Sequence, residues 1–153
     1  MLRTRLNEAL KEAMRAKDQR ATATIRLILA ALKDRDIAAR GRGQMDGIDD
    51  AELASMLQTM VKQRRESIDL YEQGGRVELA QQEREEIAVI EGFMPKQLSE
   101  EETTQAVAAL IQEIGATGIK DMGRVMAELR TRYAGQMDFG KASGLVKGTL
   151  AGA

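Results

Sequence analysis

The chain has 153 residues, with 23 Lys and Arg against 24 Asp and Glu, a single proline, no cysteine and no histidine. That length suits one domain with a substantial core or two small helical ones. Without Cys or His, a disulfide framework, a thiolate or imidazole metal site, and the Ser-His-Asp, Cys-His and zinc-hydrolase constellations are all excluded.

One residue period dominates, and it is helical. Leu2, Leu6, Leu10 and Met14, with Ala9 and Ala13, recur at three and four and predict a first helix over roughly 2–16. Asp18 is placed to cap a second, running to about Ala39. Its apolar residues, Ile25, Leu27, Ile28, Leu29, Leu32 and Ile37, spread around much of its circumference, the pattern of a helix buried in a bundle centre. The run Arg40 to Gln44 breaks it. Asp49 or Asp50 then caps a third helix carrying Leu53, Met56, Leu57, Met60, Val61, Ile68 and Tyr71, which ends at Gly74-Gly75. A fourth, about 76–92, carries Leu79, Ile87 and Ile90.

The stretch from Glu91 to Glu102 marks a boundary. Pro95 lacks a backbone N–H and drives Met94 out of the helical region, so a helix running to Phe93 stops there. Ser99 and Glu102 form a capping box, and Glu100 to Glu102 suit a helix N-terminus. Three more helices follow. Val107, Leu110, Ile111 and Ile114 mark the fifth. Asp121 caps a sixth with Met122, Val125, Met126, Leu129 and Tyr133, and Asp138 caps a seventh with Phe139, Ala142, Val146 and Leu150. The expectation is an all-α chain in two parts: an N-terminal domain of about four helices over 1–94 and a C-terminal three-helix domain over 95–153.

Charge is uneven along the chain. Residues 1–45 hold 11 Lys/Arg against 5 Asp/Glu, a net of +6; residues 46–102 hold 6 against 15, a net of −9; residues 103–153 hold 6 against 4, a net of +2. Such asymmetry fits polyanion contact at the basic parts or, more plainly, solvated helix faces that pair with one another. Arg64 and Arg65 on the third helix and Glu83, Glu86 and Glu91 on the fourth meet if the two pair antiparallel. An ion-pair lattice is the reading preferred over an acid–base site, since a carboxylate base needs a pKa raised by burial. Glu83, Glu85 and Glu86 lack the His partners of a two-metal carboxylate bundle, and Gly41-Arg42-Gly43 and Gly115 to Gly118 match no nucleotide fingerprint, so no metal and no cofactor is expected. Met56, Met60, Met122 and Met126 read as core filler, or less readily as a partner groove. The basic residues Lys120, Arg124, Arg130, Arg132, Lys141 and Lys147 are the candidates for holding phosphates. The four aromatics lie on or beside core stripes, which disfavours base stacking and favours contact with the backbone of a folded RNA. Met1 to Glu8 holds no apolar signal core, and no stretch is long and apolar enough to cross a bilayer, so the expectation is a cytoplasmic protein away from membranes.

Three motifs occur in order: Lys62 to Ser67 (KQRRES), Glu91 to Glu102 (EGFMPKQLSEEE), and Lys120 to Met126 (KDMGRVM), closing on Gly135, Asp138, Val146 and Lys147. Over essentially the whole chain they resemble the YqeY-like proteins of the GatB/YqeY family. The resemblance implies an N-terminal helical domain and a C-terminal three-helix domain. The latter is similar to the tail of the B subunit of the glutamine-dependent tRNA amidotransferase, which helps hold tRNA while amide transfer proceeds elsewhere. It also implies classification with carbon–nitrogen ligases that take glutamine as amide donor. That chemistry needs an ATP and Mg²⁺ site and an amidase subunit, and no motif for either is visible, so no enzymatic activity of the chain alone is expected. By position, Lys120, Asp121, Met122, Gly123, Val125, Met126, Gly135, Asp138 and Val146 match the tail motif. Arg64, Arg65, Glu91, Pro95, Ser99, Asp121, Gly123 and Asp138 carry structural roles in the motifs. Arg124 and Lys147 are the better contact candidates, whereas Gln136 stands where the family tends to place a basic residue. The expected function is a non-catalytic module associated with tRNA or another RNA. The alternative is an adaptor that docks, through its acidic middle and methionine stripes, on an amidotransferase or another component of translation or tRNA amidation.

Overall fold

The computed structural model describes residues 1–152, and every regular element among them is helical. The chain divides into two compact units, Met1–Met94 and a second that begins at Pro95, each with its own apolar core.

The first unit holds α1 (Leu2–Arg15), α2 (Gln19–Gly41), α3 (Asp50–Gln73) and α4 (Val77–Glu91). Its core joins Leu6, Ile28, Leu53, Met56, Leu57 and Ile90, all under 2% exposed, with Ile25, Leu32, Met60 and Ile87 around them. Met56 and Met60 are therefore filler and offer no partner groove. α3 and α4 form an antiparallel hairpin across Gly74-Gly75, and α2 packs on α1, α3 and α4. Asp18 and Asp49 cap α2 and α3 by accepting the backbone N–H of Ala21 and Glu52. Between α1 and α2 the chain turns through Lys17 at φ 58°, a left-handed conformation that a non-glycine residue adopts at a cost of about 1–2 kcal/mol.

One expectation fails here. α2 is not buried on all sides: Thr24, Ile25, Ile28, Leu32 and Ala39 face the core, while Leu27 is 48% and Ile37 56% exposed. α1, α3 and α4 bury one broad face of α2, and no further helix of this unit covers the other. The end of α4 also differs. The helix stops at Glu91, and Phe93 and Met94 donate to the carbonyls of Ile90 and Glu91 in a tightened turn, so the chain has left the helix three residues before Pro95.

Arg3 grips Asp36 with two bonds of 2.6 Å and donates a third, of 2.7 Å, to the carbonyl of Ile48. Asp36 in turn accepts the Ile48 N–H at 2.9 Å. This ties α1, α2 and the loop before α3 together. The Arg3 bond, with help from Ile48, holds the Asp36 carboxyl at about 2, against an ordinary value of 3.8. Gly47 passes the clamp at φ 84°, and a Cβ there would lie 2.3 Å from the Asp36 carboxylate, so only glycine fits both the conformation and the space.

The second unit holds α5 (Glu100–Ile114), a short 3₁₀ turn (Ile119–Asp121), α6 (Met122–Arg132) and α7 (Phe139–Ala151). Val107, Leu110, Val125, Leu129, Ala142 and Val146 form its core, with Met126 buried among them and Met122 packed at the edge. The capping box is complete: Ser99 Oγ accepts from the Glu102 N–H at 3.1 Å, and Glu102 accepts from the Ser99 N–H at 3.0 Å. At its other end α5 closes on Gly115 at φ 68°, which lets the Ala116 N–H reach back to the Ile111 carbonyl. The segment after Pro95 is fastened inside this unit. Leu98 N–H bonds to the Gln136 carbonyl at 2.8 Å, and the Gln97 amide reaches the Gly135 carbonyl.

Candidate functional site

The six basic candidates of the second unit fall into two groups once the α6–α7 hairpin is formed. α6 and α7 run antiparallel, and the 3₁₀ turn packs on α7. Lys120 on that turn, Arg124 in the first turns of α6 and Lys147 in the last turns of α7 therefore share one end of the hairpin. Arg130, Arg132 and Lys141 lie toward the other end.

The two ends differ in how much charge is free. Arg132 donates to Glu113 at 2.7 and 2.8 Å and to Glu128 at 2.8 Å, tying α5 to α6, and the bonds from these carboxylates hold its guanidinium firmly charged. Glu113 is correspondingly held below the usual carboxylate range by Arg132. Two carboxylates around one cation leave no net positive charge to offer, so Arg132 is a strut between helices and drops out of the contact set. Arg130 lies over the Phe139 ring at 5.9 Å, and Lys141 stands 4.0 Å from Glu100. At the first end, Lys120 and Lys147 make no ion pair among the described residues, and Arg124 bonds only to Asp121, at 3.2 Å.

Asp121 departs from its expected role. It makes no side-chain cap to α6; its carboxylate turns back to accept the N–H groups of Thr117 at 2.9 Å and Gly118 at 3.4 Å. The bond from Thr117, then that from Gly118 and the Arg124 charge, hold its carboxyl below the usual range. Asp138 is a cap, accepting from the N–H groups of Gly140 at 2.9 Å and Lys141 at 3.2 Å. Asp121 thus braces the loop that carries Lys120, and Asp138 starts the helix that carries Lys147.

The same surface holds glycines that the fold does not need. Gly123, Gly144 and Gly148 sit in ordinary helical backbone, and a Cβ at any of them would meet nothing within 4 Å. Helical glycine costs roughly 0.5–1 kcal/mol relative to alanine. Gly140, Gly144 and Gly148 recur every four residues, so the outer face of α7 is a smooth strip flanked by Lys141 and Lys147. The spacing is legible in the sequence, but its significance rests on the empty space above it. Beside the strip a cleft of about 440 Å³ opens between α5 and α7, lined by Leu98, Thr103, Lys141, Gly144 and Leu145 and rimmed by Glu100 and Asp138.

The acid–base cluster of the first unit is a closed network. Arg64 donates to Glu86 at 3.0 Å and to the Met60 carbonyl at 3.3 Å, with Glu83 at 3.9 Å and the Gln82 amide reaching Glu86 at 3.5 Å. Glu86 is only 8% exposed. Burial, then the neighbouring Glu86 charge, pushes the Glu83 carboxyl up, with Arg64 opposing. Arg65 pairs with Glu91 at 3.8 Å, Arg20 with Glu85 at 3.3 Å and Arg84 with Glu72. The polar groups of this cluster are largely spent on one another, while Asp46, Glu52, Glu66 and Asp69 make no ion pair among the described residues. Among the described residues no three carboxylates converge as a metal site.

Comparison with known proteins places this architecture. The model of the YqeY-like protein family matches residues 3–150. The protein named altered inheritance of mitochondria protein 41, mitochondrial, is 32% identical in Eremothecium gossypii over 151 residues, 97% of this chain and 80% of the relative. Its namesake in Lachancea thermotolerans is 31% identical over 111 residues, 71% of this chain and 57% of the relative. In Saccharomyces cerevisiae the match is 33% over 85 residues, 56% and 44%; against these last two the chain spans about half the relative's length. These names correct one expectation. Relatives called mitochondrial point away from a cytoplasmic location, because a missing apolar stretch speaks only to helical membrane insertion and not to compartment. Neither the family description nor the relatives' names carry an enzymatic activity. The chain belongs to the YqeY-like protein family.

Proposed function

We propose that the protein is a non-catalytic helical module that associates with folded RNA, tRNA first, through the end of the second unit that carries Lys120, Arg124 and Lys147. The observation that carries this reading is the contrast between the ends of the α6–α7 hairpin. At one end Arg132 is held by Glu113 and Glu128, Lys141 stands beside Glu100 and Arg130 lies over the Phe139 ring; the other keeps Lys120 and Lys147 free of ion pairs among the described residues. Free lysines bind phosphates as point charges, and each contact made releases counterions. The open backbone at Gly123, Gly144 and Gly148 supports the same reading, since a sugar–phosphate backbone approaches closely where there is no side chain. So does the resemblance of the third motif to the amidotransferase tail.

Filter binding of bulk tRNA at low salt tests this. Wild type retains tRNA, and K120A/K147A lowers the affinity at least tenfold with the fold intact. R132A, which removes a strut and not a free cation, leaves the affinity within twofold. Retention that is indifferent to Lys120 and Lys147 would refute the proposed face.

A further inference from the structure

We propose that the outward face of α2 is a docking surface for an acidic amphipathic helix of a partner protein. It lies in the first unit and is independent of the RNA reading. Ala23, Ala30 and Ile37 stand at seven-residue spacing on this face, beside Leu27, and Leu27 and Ile37 are about half exposed. Arg26, Lys33 and Arg40 repeat the same spacing along one flank. At 1.5 Å per residue the three cations span about 21 Å, the length of a four-turn helix. Asp34 stands on the other flank and gives the strip a polarity.

None of the three cations forms an ion pair among the described residues. Arg26 rests on the Met14 sulfur at 3.5 Å, Arg40 donates to the Met45 carbonyl at 3.3 Å, and Lys33 has no such contact. The cations that face into this unit are matched, as Arg3 with Asp36 and Arg64 with Glu86 show. Arg26, Lys33 and Arg40, without an ion pair among the described residues, thus line the side that also shows apolar surface.

The pattern specifies its complement. A seven-residue repeat is what a second helix reads when it winds along the first, and alanines let the axes come within about 8–10 Å. Carboxylates every seventh residue on such a helix would meet Arg26, Lys33 and Arg40 in turn. Leu27 and Ile37 gain nothing against phosphate, which argues against RNA on this face. A second copy of the chain lacks the complement, since no helix here repeats Asp or Glu over three successive seven-residue steps. At the N-terminal end the strip runs into a cleft of about 430 Å³ lined by Met14, Lys17, Thr22, Ala23 and Arg26, which suits an anchoring side chain of the partner.

The test uses the full chain and a fluorescent 21-residue helical peptide with Leu and Ala on one face and Glu at every seventh position. Fluorescence anisotropy should show binding at least tenfold tighter than for the same residues in scrambled order. R26E/K33E/R40E should lose at least tenfold, and a peptide with Lys in place of Glu should recover binding to that variant. A30Q, which adds bulk without charge, should also weaken binding several-fold. Backbone amide shifts should be confined to α2 and its N-terminal corner, and melting curves check that the variants fold. Equal binding of the scrambled peptide, or no effect of the triple variant, overturns the proposal. So does cosedimentation with phosphatidylserine vesicles without peptide binding, which would make this a lipid face. A dimer that R26E/K33E/R40E abolishes overturns it in favour of self-association.

Discussion

At the scale of single residues, the best-defined interaction in the first unit is the Arg3–Asp36 clamp. Asp36 is largely buried and its carboxyl is held at about 2, so its charge stabilises the fold wherever the unfolded chain would also be ionised. The depression from 3.8 corresponds to roughly 2 kcal/mol. The sign is fixed by the direction of the shift: the contribution is complete above about pH 5, declines as the unfolded chain begins to take up protons near 3.8, and is gone once pH falls through about 2. Acid unfolding followed by circular dichroism should therefore be shallower in D36N between about pH 5 and 2, and D36N should be less stable at neutral pH by about 2 kcal/mol. G47A should cost a similar amount, because both the φ of 84° and the Asp36 carboxylate stand against a methyl group. Arg64 is the corresponding residue between α3 and α4: R64A leaves Glu86 buried without its partner, and urea melts should show a loss of about 3 kcal/mol. None of this depends on conservation; it follows from which charges lack water and which have a partner.

At the scale of elements, the helices were legible and their surroundings less so. The capping signals Asp18, Asp49, Ser99 and Asp138 each act as the sequence suggests, since a short polar side chain before an apolar period has few other uses. S99A should lower stability by about 1 kcal/mol through the loss of one cap bond. Asp121 has the same sequence context and acts otherwise, because a 3₁₀ turn intervenes and presents the N–H groups of Thr117 and Gly118 instead. α2 shows a second limit. Its apolar residues spread around the circumference, but partner helices cover only one side, so the core does not reach Leu27 and Ile37. α7 shows a third. The Gly140, Gly144 and Gly148 spacing is visible in the sequence, but whether such a strip is packed or open depends on what lies above it. Because the space is open and the backbone helical, G144A should raise thermal stability by about 0.5–1 kcal/mol. On the RNA reading the same change weakens tRNA binding, so stability and affinity move in opposite directions.

At the scale of the whole molecule, the sequence carried the helical class and the family, because three ordered motifs and one residue period sufficed. It could not decide which cations are free. Arg132 and Lys147 look alike in sequence; distances separate them, since Arg132 is held by two glutamates and Lys147 forms no ion pair among the described residues. Pro95 begins the second compact unit, and the bonds from Gln97 and Leu98 to Gly135 and Gln136 anchor the segment within that unit. We propose that residues 95–153 are an autonomous domain, which predicts a cooperative thermal transition for that fragment alone; a fragment that shows no cooperative melt would contradict it. The central claim, that free cations at one end of this unit hold an RNA backbone, is tested most directly by the salt dependence of tRNA affinity. A log–log plot of affinity against salt concentration should be linear, and K120A/K147A should flatten its slope by about 1.5, close to one contact per lysine removed. An unchanged slope in that variant, or affinity insensitive to salt, would contradict the account.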